Sequence, residues 1–169
     1  PSQILALTFT NKAAREMKDR VGRLIHTPDN PQKYTKAEQP FIGTFHSFAA
    51  HILRTHATKI GFLPHFTIRD EDDSLSIIKE LSKEHSLSPK QFPPGLLLNT
   101  ISSLKNDLIT PDVYANESGL SDPFSRTTHT IYAEYQERLK KTNSMDFDDL
   151  IMYAETILSM PDIQASYTS

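Results

Sequence analysis

Two short segments limit what this chain can fold into. "ILALTFTNKAAREM" (residues 4–17) and "FIGTFHSFAAHIL" (residues 41–53) each pass from an apolar, β-favouring run straight into a helical pattern, with Thr-Phe and a polar residue at the joint. In the first, Ile4 to Phe9 read as a buried strand. Ala14, Met17, Val21, Leu24 and Ile25 read as the inner face of the following helix, which Thr10 or Asn11 can cap. In the second, a helix is expected from about Ser47, with Phe48, Ala49, Ile52 and Leu53 on one face and Gly61 as its stop. Consecutive strand-helix units imply a parallel sheet with binding groups at the carboxyl ends of the strands. Parallel sheets are covered on both faces and usually have more than two strands. The expectation is therefore an α/β piece of a larger protein.

The polar, proline-containing stretch "HTPDNPQKYTKAEQP", residues 26–40, reads as the loop between the two units. From about residue 62 the pattern turns helical and acidic. Asp70 is expected to cap a helix with Leu75, Ile78 and Leu81 inward; a helix after Pro93-Pro94 should bury Leu97, Ile101, Leu104 and Leu108. Pro111 opens a short helix or turn. Residues 122–142 read as a long helix with Ile131, Tyr135 and Leu139 at four-residue spacing, and a final helix starts near Asp146 with Leu150, Ile151, Tyr153, Ala154 and Ile157. The fold expected is an α/β fragment with few parallel strands and a mostly α-helical subdomain.

Charge is distributed unevenly. Residues 1–60 hold nine Lys/Arg against four Asp/Glu, whereas the remainder holds nine against seventeen. A polyanion would be drawn to the first part and repelled by much of the second, although a basic solvated helix face gives the same count. The absence of cysteine excludes disulfides and thiolate metal sites and makes an intracellular, cytoplasmic protein the easier expectation. No apolar run approaches the ~20 residues of a membrane span, so no membrane partner is expected.

The joints carry the chemistry that most suggests a ligand. At Phe9, Thr10, Asn11 and Lys12, helix amides, hydroxyl and amide side chains can hold phosphate oxygens, an ammonium adds charge, and an exposed ring can stack on a base. Thr44, Phe45, His46 and Ser47 repeat the arrangement. The plain alternative makes Phe9 one more core residue, Thr10 and Asn11 an ordinary cap, and His46 a helix-start histidine bonded to backbone. Two acidic clusters, "RDEDD" (69–73) and "DFDDL" (146–150), could supply oxygens to magnesium but suit helix N-termini better. His46, His51 and His56 are spaced by five and do not share a helical face, so no metal site is expected there.

"ILALTFTNKAAREMKDRV", "GTFHSFAAHILR" and "MDFDDLI" together resemble motif Ia, motif Ib and the signature after the inserted helical subdomain in superfamily 1A DNA helicases of the UvrD/Rep/PcrA type. They occur in the family's order and span essentially the whole chain. The resemblance implies a fragment of a RecA-like P-loop motor domain. Residues 1–61 would belong to domain 1A, 62–143 to helical subdomain 1B, and 144–169 to a helix returning to domain 1A. It implies single-strand DNA contacts by Phe9, Thr10, Asn11 and Lys12 and by Thr44, Phe45, His46 and Ser47, with single-stranded DNA, single-strand/duplex junctions and the rest of the helicase chain as partners. ATP and Mg2+ would serve the intact parent. None of the five glycines here is followed by lysine, so the phosphate-cradling Gly-Lys-Ser/Thr loop is missing, and the fragment itself is expected to bind neither and to be inactive as an ATPase. Two other readings stay open. One is a helicase-nuclease subunit of the RecB/AddA type; the other is a protein-interaction module without catalysis. A magnesium-dependent hydrolase built on Asp146, Asp148 and Asp149 is a further alternative.

Overall fold

The computed structural model describes residues 4–25, 40–118 and 120–168. The loop expected over residues 26–40 lies, apart from Pro40, outside the described residues, as does the side chain of Ile25. The chain divides into two units, Pro1–Ile52 and Leu53–Ser169.

In the first unit, β1 (Leu5–Thr8) and β2 (Phe41–Thr44) pair in parallel, with Leu5 opposite Phe41 and Thr8 opposite Thr44. The parallel pairing expected from the sequence is present. The expected burial of the Ile4–Phe9 run is not. Ile4 and Leu5 are exposed, because a two-stranded sheet has no further strand to cover them; Phe9 falls past the end of β1, at the joint, and is exposed there. Helix α1 (Asn11–Ile25) is capped by Thr10, whose Oγ1 accepts from the Ala13 amide at 3.2 Å. Ala14 is buried and Met17 and Val21 are half-buried, but Leu24 is exposed, contrary to the inner face expected. A 15-residue helix runs ~22 Å, whereas a four-residue strand runs ~13 Å, so the last turn overshoots the strands on which α1 packs.

Helix α2 (Phe45–His56) begins directly after β2, two residues earlier than expected. Phe41 of β2 holds it edge-on through Phe48, with ring centroids 5.3 Å apart. A short 3-10 turn, Ala57–Ile60, follows and ends at Gly61, whose φ of 83° provides the left-handed stop expected there.

The second unit is mostly helical. It contains α3 (Glu71–Glu84), α4 (Pro94–Asn106), α5 (Pro111–Ser118), α6 (Pro123–Lys141), α7 (Phe147–Leu158) and α8 (Pro161–Thr168). Asp70, Asp122 and Asp146 cap α3, α6 and α7 through their carboxylates. A core of Ile78, Leu81, Phe92, Leu97, Ile101, Ile131, Tyr132, Tyr135 and Leu139 joins α3, α4 and α6. Leu108 does not join it. It sits past the end of α4 at φ 60° and is exposed; Leu108 N–H reaches Lys105 O at 2.9 Å and Ile109 N–H reaches Leu104 O at 2.8 Å, a Schellman closure.

Two features had no counterpart in the sequence reading. One is a second parallel pair, β3 (Thr67–Ile68) with β4 (Ser144–Met145), in a segment that reads as a poor strand because two residues carry no periodicity. The other is α8. Among the described residues, no helix is long and apolar enough to cross a membrane.

Candidate nucleic-acid interface

Because β1 and β2 are parallel and end in register at Thr8 and Thr44, both joints open on one sheet edge. Phe9 and Phe45 follow these paired residues. Their ring centroids are 5.2 Å apart at an interplanar angle of 36°, and Phe9 is 88% exposed while Phe45 is 43% exposed. Asn11 and Lys12 occupy the first two positions of α1 and His46 the second of α2, all three exposed. The sheet edge therefore brings together two rings, an ammonium, an amide and an imidazole beside two helix N-termini. That set can hold phosphate oxygens and stack on bases without reading their identity.

The two joints are not copies of each other. At the first, Phe9 is a linker residue before the cap. At the second no linker remains: Thr44 is both the last residue of β2 and the cap of α2, and Phe45 is already helical. Thr44 Oγ1 accepts from the Ser47 amide at 3.2 Å, Ser47 Oγ accepts from the Thr44 amide at 2.8 Å, and the Ser47 hydroxyl donates to the Thr44 carbonyl at 2.8 Å. This is a capping box with serine at its third position. Thr44 is buried by it. Sequence reading missed Gly43. A Cβ there would fall on Ser47 Oγ and press the Phe41 ring, and the only sequence signal was a glycine inside a strand pattern.

In the second unit, two of the three "DFDDL" acids, Asp146 and Asp149, are organised around a cation. Lys105 of α4 is buried and places its Nζ 2.6 Å from Asp146 Oδ2 and 2.8 Å from Asp149 Oδ1. Tyr135 donates to Asp146 Oδ2 at 2.8 Å and Gln136 to Asp149 Oδ1 at 3.0 Å. Asp146 and Asp149 also complete a capping box on α7. One ammonium faces two buried carboxylates. Burial opposes the charge of Asp146, but Lys105 and the hydrogen bonds outweigh it and hold its carboxyl below the ordinary range. Burial dominates at Asp149 and, with the Asp146 charge, pushes it up to about 6 against the pull of Lys105. Burial also raises Tyr132 and Tyr135.

Asp146 and Asp70, with Asp148 and Glu71, line a cleft of about 260 Å³. The Asp70 and Asp146 carboxylates in it are engaged as caps. Among the described residues no group of three His, Cys, Asp or Glu is placed to hold a metal ion, and no Gly-Lys step offers a phosphate cradle.

The family profile described as UvrD/REP helicase N-terminal domain matches residues 1–169. The ATP-dependent DNA helicase UvrD1 of Mycobacterium leprae is 44% identical over 169 residues, covering 98% of this chain and 21% of that protein. The ATP-dependent DNA helicase PcrA of Bacillus subtilis is 44% identical over 152 residues, covering 90% of this chain and 19% of its own length, and that of Staphylococcus aureus is 42% identical over 152 residues, with 90% and 20% covered. The chain thus spans about a fifth of the length of these relatives. With the family profile matched from end to end and the three motif strings in order on it, the chain belongs to the UvrD/REP helicase N-terminal domain family.

Proposed function

We propose that this chain supplies part of the single-strand DNA track of an ATP-dependent DNA helicase that translocates on and unwinds DNA in repair or replication. The observation that carries the reading is the exposed Phe9 ring, in contact with Phe45 at the edge where two helix N-termini begin. A base stacked on such a ring gains ~1–3 kcal/mol whatever its identity, while Lys12, Asn11 and Thr10 would serve the backbone phosphates. Sequence tolerance is what a motor requires of its track. Residues 1–61 are assigned on this reading to domain 1A, 62–143 to subdomain 1B near the duplex side of a junction, and 144–169 to the return into domain 1A. ATP and Mg2+ would be held by other parts of the parent, and the fragment alone would not hydrolyse ATP.

The test is a coupling measurement in the intact helicase. Phe9→Ala is expected to lower the number of base pairs unwound per ATP hydrolysed while leaving nucleotide affinity within about twofold. Unchanged unwinding by that variant would remove Phe9 from the track.

A further inference from the structure

The Thr44–Ser47 box raises a separate question, which is whether Ser47 touches DNA at all. A hydroxyl has one proton, and that of Ser47 is donated to the Thr44 carbonyl at 2.8 Å while its oxygen accepts from the Thr44 amide. What Ser47 can still present outward is lone-pair density, which repels a phosphate oxygen. Its amide is bonded to Thr44 Oγ1. The same three bonds fix the turn between β2 and α2, and Phe45 is the residue inside that turn.

We infer that Ser47 and Gly43 are positioning residues for the Phe9–Phe45 ring pair, and that Ser47 influences a bound single strand through the placement of Phe45 and not through a phosphate contact. The inference rests on the reading of the joints as a single-strand track. Gly43 belongs to the device because only a residue without Cβ leaves room for Ser47 Oγ over the strand end. Phe41, against which the same Cβ would press, contacts the Phe48 and His51 rings of α2 at 5.3 and 5.5 Å. A change at Gly43 therefore acts on both the box and the seat of the helix.

The experiment is a double-mutant cycle in the intact helicase, reading the affinity for a labelled oligo-dT single strand. Phe45→Ala and Phe9→Ala are each expected to weaken binding about fivefold or more. Ser47→Ala and Gly43→Ala should weaken it about three- to tenfold, Ser47→Thr, which keeps the hydroxyl, should restore it, and Ser47→Ala should add little in the Phe45→Ala background. A full, additive loss on Ser47→Ala in the Phe45→Ala background would overturn the positioning role and make Ser47 a direct contact. No loss on Ser47→Ala would overturn it as well. If Phe9→Ala and Phe45→Ala both bind as the unmodified protein does, the track reading fails and the inference fails with it.

Discussion

Lys105 lies four residues after Ile101 and eight after Leu97, on the stripe that buries both. The sequence reading followed that stripe to Leu104 and Leu108 and passed over a lysine at the same spacing. Burial of an ammonium on an apolar face requires a partner from elsewhere in the chain, and "DFDDL" supplies it from 41 residues away. Replacing Lys105 with methionine leaves two buried carboxylates without a counter-charge. We expect Lys105→Met to cost about 3–5 kcal/mol in urea denaturation, with part of the loss recovered when Asp149→Asn is added. The same cluster sets a pH dependence. Asp149 is held near 6, above its unfolded value of 3.8, so between these pH values the folded chain binds more protons than the unfolded chain. Stability should fall as pH rises through that window, by about 2–3 kcal/mol, and then level off. Asp146 acts below it, contributing stability above the unfolded carboxyl value that is lost as pH falls through its lower folded one. Urea midpoints at pH 4.5, 5.5 and 7 should show the decline in the unmodified chain and a flatter profile in Asp149→Asn; equal slopes in the two would contradict the assignment.

At the level of elements, capping chemistry was the most legible part of the sequence. Thr10, Asp70, Asp146 and the Gly61 stop all sit where their types indicated, because each is a local bond between neighbours in the chain. What escaped was non-local or very short. The β3–β4 pair joins residues some 77 positions apart through two residues each, and no window along the chain contains both partners. The exposure of Leu5 and Leu24 escaped for the opposite reason. Periodicity marks which face is apolar, not whether anything lies against it. The end of α4 shows a further local exception: Leu108 closes it in a left-handed conformation that glycine adopts freely. Leu108 is 42% exposed, so relief of its backbone is partly offset by lost packing, and Leu108→Gly should raise the stability of the chain by no more than about 0.5 kcal/mol. A destabilising effect of similar size would mean that its side chain contributes packing not evident from its exposure.

At the scale of the whole molecule, the motif strings identified the family because they are long and ordered, and the family profile covers the same residues. The candidate site was legible as a residue list and only partly as geometry. Thr8-Phe9 and Thr44-Phe45 look equivalent in sequence, yet one ring sits in a linker and the other on the first turn of a helix. The difference leaves two of the eight candidate residues, Thr44 and Ser47, with their hydroxyls bonded to the backbone of the joint itself. The uneven charge points the same way as the rings, since the portion carrying nine bases against four acids is the one that contains both joints. The most direct measurement is therefore fluorescence anisotropy of one labelled oligonucleotide, single-stranded and then as duplex, titrated with this chain from low to rising salt. Binding that favours the single strand, weakens with salt and falls about fivefold or more on Phe9→Ala is the result expected of a stacking and phosphate track. Equal affinity for single strand and duplex, indifferent to Phe9→Ala, would contradict it.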